Sequence, residues 1–226
     1  MIRVLSRAAT ATVFWLTVLL CLAVALFSAR FLLPEPFMTQ GMEPHIEARP
    51  LVFLTHVASA LTALALGPFQ LISWRGPRRA WHRWSGRVYV AACLIGAVSG
   101  FGLAVTSLSG PIAGLGFGFL AVAWFVATAM GWRKAVGGQF GQHRRWMIRS
   151  LSLTFAAVTL RLMLPIVPLT GLDFANAYPA IAFLCWIPNL LIAELWLRIR
   201  GWEVTTATSR TAIAGPWRAR ASAESA

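Results

Sequence analysis

The chain has 226 residues, 58% of them hydrophobic, and a mean hydropathy of +0.68. Apolar content on that scale, gathered into unbroken runs, excludes an ordinary soluble domain. The formal charge of +13, from 20 Lys+Arg against 7 Asp+Glu, would suit a nucleic-acid binder only if the cations shared a soluble face. They stand between apolar runs instead, which sets nucleic acid aside and makes them a topology signal.

Six runs come near the ~20 residues that cross a bilayer core: 13–31, 51–72, 88–108, 111–132, 146–167 and 178–197. Arg3 and Arg7 precede the first, and Ala23-Val24-Ala25 resembles a signal-peptide cleavage site. The apolar run continues past that point to Leu33, which favours a retained helix. The expected fold is all-α, an integral membrane bundle of six transmembrane helices. Its expected domains are an N-terminal tail over 1–12, the helical domain over 13–200 and a disordered tail over 201–226.

Seventeen cations fall on one side of the membrane: Arg3 and Arg7, five arginines between 75 and 87, five Lys+Arg between 133 and 149, and five arginines from 198 onward. The other side has Arg30 and Arg49, and Arg161 lies inside the fifth run. The positive-inside rule places both termini in the cytoplasm, with the spans in contact with membrane lipids. Trp74, Trp81, Trp84, Trp132, Trp146 and Trp196 crowd the basic ends, as an interfacial belt does. The longest connection on the sparse side, 33–50, reads as an ordered cap or a flexible loop.

Cys21, Cys93 and Cys185 each lie within an apolar run, so no disulfide framework is implied. No CxxC or CxxCH occurs, which removes zinc-ribbon, thioredoxin-like and c-type haem readings. There is no nucleophile elbow, no HExxH and no carboxylate pair of catalytic spacing.

On the third run, His82, Gly86, Tyr89, Cys93, Gly96 and Gly100 share one helical face. Gly96-xxx-Gly100 is a small-xxx-small pattern that admits a neighbouring helix; the sharper alternative is room for a flat cofactor beside His82. The fifth run opens with His143, Arg144, Arg145, Trp146 and Arg149 and then turns apolar around one cation, Arg161. At about 100° per residue, His143, Ser150, Thr154 and Arg161 form one polar stripe. His82-Arg83-Trp84 and His143-Arg144-Arg145-Trp146 echo one another, as the arms of a parallel repeat would.

His56, then Gly67-Pro68-Phe69-Gln70, His82-Arg83-Trp84-Ser85-Gly86-Arg87-Val88-Tyr89, His143-Arg144-Arg145-Trp146-Met147-Ile148-Arg149-Ser150 and Ala156-Ala157-Val158-Thr159-Leu160-Arg161 together resemble a bacterial family of predicted multi-pass membrane proteins, domain-of-unknown-function family 2306. The resemblance spans about 51–199 and implies a helical membrane bundle without a stated activity. A looser likeness to small b-type cytochrome membrane bundles rests on fold analogy.

Depth arranges the candidate chemistry in two layers. His56 and Arg161 each lie about 8–9 Å inside the sparse end by helical rise, while His82 and His143 meet at the basic end. Two histidines at one depth on neighbouring helices suit axial ligation of haem b, with Gly86 for ring packing and Arg87 and Arg149 for propionates. His56, Arg161, Thr154 and Asn189 form the candidate ligand site for a quinone or other small molecule. A cation inside hydrocarbon needs a partner or a cavity; Asn189, beside Pro188, equally suits a backbone carbonyl that proline frees. Three readings stay open: a redox module, a carrier of small molecules, anions or lipids, and a non-catalytic subunit packing against a membrane protein partner.

Overall fold

The computed structural model describes residues 2–33, 43–71 and 78–212, with side chains over 11–33, 46–71 and 80–199. Among these residues there is no strand. The helices are α1 (Ile2–Ala29), α2 (Glu43–Ala48), α3 (Pro50–Leu66), α4 (Arg78–Val105), α5 (Pro111–Val136), α6 (Phe140–Thr154), α7 (Ala156–Met163), α8 (Phe174–Leu184) and α9 (Ile187–Ala212). Six stretches are long and apolar enough to cross a membrane: Ala11–Leu32, Pro50–Leu71, Ala80–Val105, Pro111–Val136, Phe140–Thr170 and Phe174–Ile199. They match the six apolar runs to within a few residues, except that the third starts earlier and the fifth is longer at both ends.

Two tails differ from expectation. Helix α1 already begins at Ile2, and α9 continues to Ala212 because no proline interrupts the chain between Pro188 and Pro216. Trp74 and Arg75 lie outside the described residues, as do residues 34–42 of the long connection. Residues Met1–Leu190 form one compact unit and Leu191–Ala226 a second.

Local chemistry explains the ends. Pro50 and Pro111 open α3 and α5, where the missing N–H would have had no helical partner anyway. Gly110, at φ +91°, turns the chain between α4 and α5. The Asp173 carboxylate accepts from the Ala175 N–H and caps α8.

The fifth and sixth spans are each broken near the middle. At Phe155 the break follows from back-bonding: Thr154 Oγ1 donates to the Ser150 carbonyl at 2.9 Å, and Ser152 Oγ donates to that of Arg149 at 2.8 Å. Such bonds compete with the helical ladder and bend it. In the sixth span, Pro188 cannot donate and ends the α8 ladder at Cys185. Two carbonyls beside the break accept from side chains of the protein. Trp186 Nε1 donates to the Ala182 carbonyl at 3.0 Å, and Asn189 Nδ2 donates to that of Cys185 at 3.0 Å. In hydrocarbon that satisfaction is obligatory.

Two packed clusters hold the first unit together. Ala63, Tyr89, Cys93, Ala97, Trp124, Ala127 and Leu153 join α3, α4, α5 and α6. Cys21, Ala25, Leu64 and Val158 join α1, α3 and α7. Many large apolar side chains are exposed instead, including Leu26, Val98 and Phe119. That is the inverse of a soluble protein and the expected surface of one solvated by lipid. The three cysteines are buried and unpaired.

Candidate functional site

At the basic end, α4 supplies His82 and α6 supplies His143, and the two rings lie within electrostatic reach of one another. Nδ1 of His143 stands 2.9 Å from the Gly131 carbonyl. A carbonyl only accepts, so Nδ1 carries a proton, and in the neutral tautomer Nε2 is the nitrogen with the lone pair. Nδ1 of His82 is buried and has no hydrogen-bond partner among the described residues. The guanidinium of Arg87 lies 4.8 Å over the Trp84 ring, and that of Arg149 lies 4.7 Å over Trp146. The echo between the two basic heads thus extends to the same Trp-x-x-Arg cation–π contact, a common arrangement at an interface.

Gly86 faces a single side chain, that of Gln70. A Cβ there would come within 3.1 Å of Gln70 Oε1, and that amide is itself anchored by donating from Nε2 to Ser85 Oγ at 2.9 Å. The other two glycines of the same face are also covered. A Cβ at Gly96 would meet Ser59 Oγ at 3.0 Å and the Trp124 ring at 3.1 Å, and one at Gly100 would meet His56. From Gly96 to Gly100 this face is a close helix contact.

At the other end, His56 Nδ1 stands 2.9 Å from the Gly96 carbonyl, so it too donates there and leaves Nε2 without its proton. Arg161 lies within electrostatic reach of His56, Arg30 and Tyr178. Its one hydrogen bond among the described residues is a long one, 3.3 Å from Nη1 to the Ala157 carbonyl of its own helix. Arg49 differs: its two terminal nitrogens donate to the carbonyls of Gly102 at 2.9 Å and Thr106 at 2.7 Å, closing the end of α4.

Between these layers lies a dry polar chain. Thr154 gives its proton to the Ser150 carbonyl, so its oxygen accepts from Trp124 Nε1 at 3.0 Å and from the Tyr89 hydroxyl at 3.0 Å. Tyr89 must then accept from Ser150 at 3.1 Å, and Ser150 from Thr128 at 2.7 Å. Every hydroxyl proton in the chain has one direction, and all of these side chains are buried. Thr154 is consumed by this network and offers nothing to a ligand. Asn189 is similarly engaged, donating to Thr159 Oγ1 at 2.9 Å as well as to Cys185. Each thus ties its own span to a neighbouring helix.

Among the described residues no group of three metal-ligating side chains occurs. A model of the family described as "Predicted membrane protein (DUF2306)" matches residues 53–197. The chain belongs to this family. The match takes in His56, His82, His143, Arg161 and Asn189, and with six apolar spans it identifies a multi-pass membrane protein. The family description names a location and not a reaction. No curated protein and no solved structure matches the chain, so the likeness to small membrane cytochromes gains no support there.

Spacing missed Arg30 and Ser28, both at the end of the first span. The signal was present in part: Arg30 is one of only two cations on the sparse side, though it stands at the very end of its span. The Trp124, Tyr89 and Thr128 partners of the polar stripe carry no comparable signal, because hydroxyl and indole groups are common on apolar helices.

Proposed function

We propose that the protein is a membrane redox module of the bacterial inner membrane, with both termini cytoplasmic, whose basic end holds the iron of a b-type haem between His82 and His143. The observation that supports this reading is the pair of imidazoles, on different helices, each with a ring nitrogen that has no partner among the described residues. The donor chemistry fits: an imidazole nitrogen from each of two helices could hold a haem iron. The hydrogen bond from His143 to Gly131 fixes tautomer and ring orientation as outer partners of metal-bound histidines do. When bound, haem would supply a one-electron couple.

The chain's own residues have definable parts. His143 is pre-oriented by α5 through the Gly131 carbonyl, and His82 contributes the second imidazole from α4. Arg87 and Arg149 are the cations at that end suited to carboxylate groups of the macrocycle, each with its guanidinium over a tryptophan ring. The buried chain from Thr128 to Thr154 keeps water out of the bundle centre while satisfying its own polar groups.

The test is optical. Full-length protein purified in detergent from haem-replete cells is expected to show a Soret band that responds to dithionite. His82→Ala and His143→Ala should lose or shift it, while His56→Ala keeps it. A colourless wild-type protein, or bands indifferent to both basic-end variants, would remove this reading and leave the carrier and scaffold alternatives.

A further inference from the structure

The face of α1 that packs through Cys21 and Ala25 against Leu64 and Val158 continues by one turn to Ser28. The face of α7 that carries Val158 continues to Arg161. Ser28 is 4% exposed, and its hydroxyl has no partner among the described residues. Nε of Arg30 is buried and also without one; its guanidinium lies 3.6 Å over the Phe27 ring. Arg30 and Arg161 stand within electrostatic reach of each other, and no carboxylate among the described residues pairs with either.

Two like charges in apolar surroundings repel, and each alone is costly there. Arg49, at the same end, shows how the fold satisfies a cation internally: it spends its donors on two helix carbonyls. Arg30 and Arg161 have no such arrangement. We propose that Ser28, Arg30 and Arg161, flanked by His56 and Tyr178, bind one oxyanionic group, a phosphate or a carboxylate, at the end of the bundle opposite His82 and His143. A guanidinium fork matches either group with paired donors. The Ser28 hydroxyl adds a third donor. Nε2 of His56 is a bare acceptor, suited to an O–H on a singly protonated phosphate or on a water beside a carboxylate. This site stands apart from the haem reading, and neither falls with the other.

Thermal unfolding of the purified full chain tests it, with sodium phosphate and sodium acetate as free anions, and with nanodiscs of phosphatidylcholine made with or without phosphatidylglycerol. A saturating occupant should raise Tm by about 5 °C. A response to the salts assigns a free anion, and a response to phosphatidylglycerol alone assigns a lipid headgroup. The rise should vanish in Arg30→Gln and Arg161→Gln and persist in Arg49→Gln. Ser28→Ala should melt higher than wild type without the occupant, since an orphaned hydroxyl is removed, and should respond less to it. Three results would overturn the proposal. One is no response of the wild type to any probe, and another is a response that survives both arginine variants. The third is destabilisation by Glu35→Gln or Glu43→Gln equal to that of Arg161→Gln, which would make an internal carboxylate the counter-ion.

Discussion

The imidazole of His56 occupies the space that a side chain at position 100 would need: a Cβ on Gly100 would lie 2.9 Å from its Cε1 and 3.0 Å from its Nδ1. The same ring is held by the Gly96 carbonyl, one turn earlier on α4. His56 therefore locks α3 to α4 whatever else it does. Gly100→Ala should push the ring off that carbonyl and destabilise the protein by about 1–3 kcal/mol, the usual cost of overpacking. Reversible unfolding in mixed detergent micelles measures it. Gly86→Ala is the contrast: its neighbour is the far end of the Gln70 side chain, which can shift, so stability should hold.

The hydroxyl chain at the bundle centre predicts an order among three substitutions. Tyr89→Phe removes one hydroxyl that joins α4 to α6 and should cost on the order of 0.6–1.7 kcal/mol, as interhelical hydrogen bonds in membranes do. Thr154→Val should cost more, about 1–3 kcal/mol, because it leaves the Trp124 N–H buried without an acceptor. Thr128→Val, which removes only the head of the chain, should cost least. Equal losses for all three in the same unfolding assay would argue against a directed chain.

Asn189 bridges the break in the sixth span to Thr159 beside the break in the fifth. Asn189→Leu should free the Cys185 carbonyl and loosen both breaks at once, giving a loss of about 1–3 kcal/mol for a buried unsatisfied acceptor. Asn189→Asp should restore only part of it, since a buried, protonated carboxyl has one proton to give where the amide donates two. Hydrogen exchange over residues 181–190 would show the local opening.

Gly116 on α5 faces the backbone of Ala182 on α8: a Cβ at position 116 would fall 2.9 Å from the Ala182 Cβ and 3.0 Å from its carbonyl carbon. Backbone cannot give way as a flexible side chain can. Gly116→Val should therefore separate α5 from α8 and cost at least about 1–3 kcal/mol. Retention of wild-type thermal stability in that variant would contradict the close approach.

Helical rise in the sequence pairs His82 with His143 and His56 with Arg161 by depth, and it says nothing of which way each side chain faces. What covers a given face depends on which helix arrives there, and no periodicity in a single helix reports that. Gly86 looked open until Gln70 from the preceding turn lay over it, and Thr154 looked available until Trp124 and Tyr89 claimed it. The break at Phe155 was hidden for a different reason. No proline or glycine marks it, only serine and threonine side chains bonding back to their own helix.

The pairing of His82 with His143 is tested most directly by counting haem. A pyridine haemochrome assay on monodisperse protein from haem-replete cells should give one equivalent per chain, falling towards zero in the His82→Ala/His143→Ala double variant. No haem in the wild type, or an unchanged content in the double variant, would contradict it.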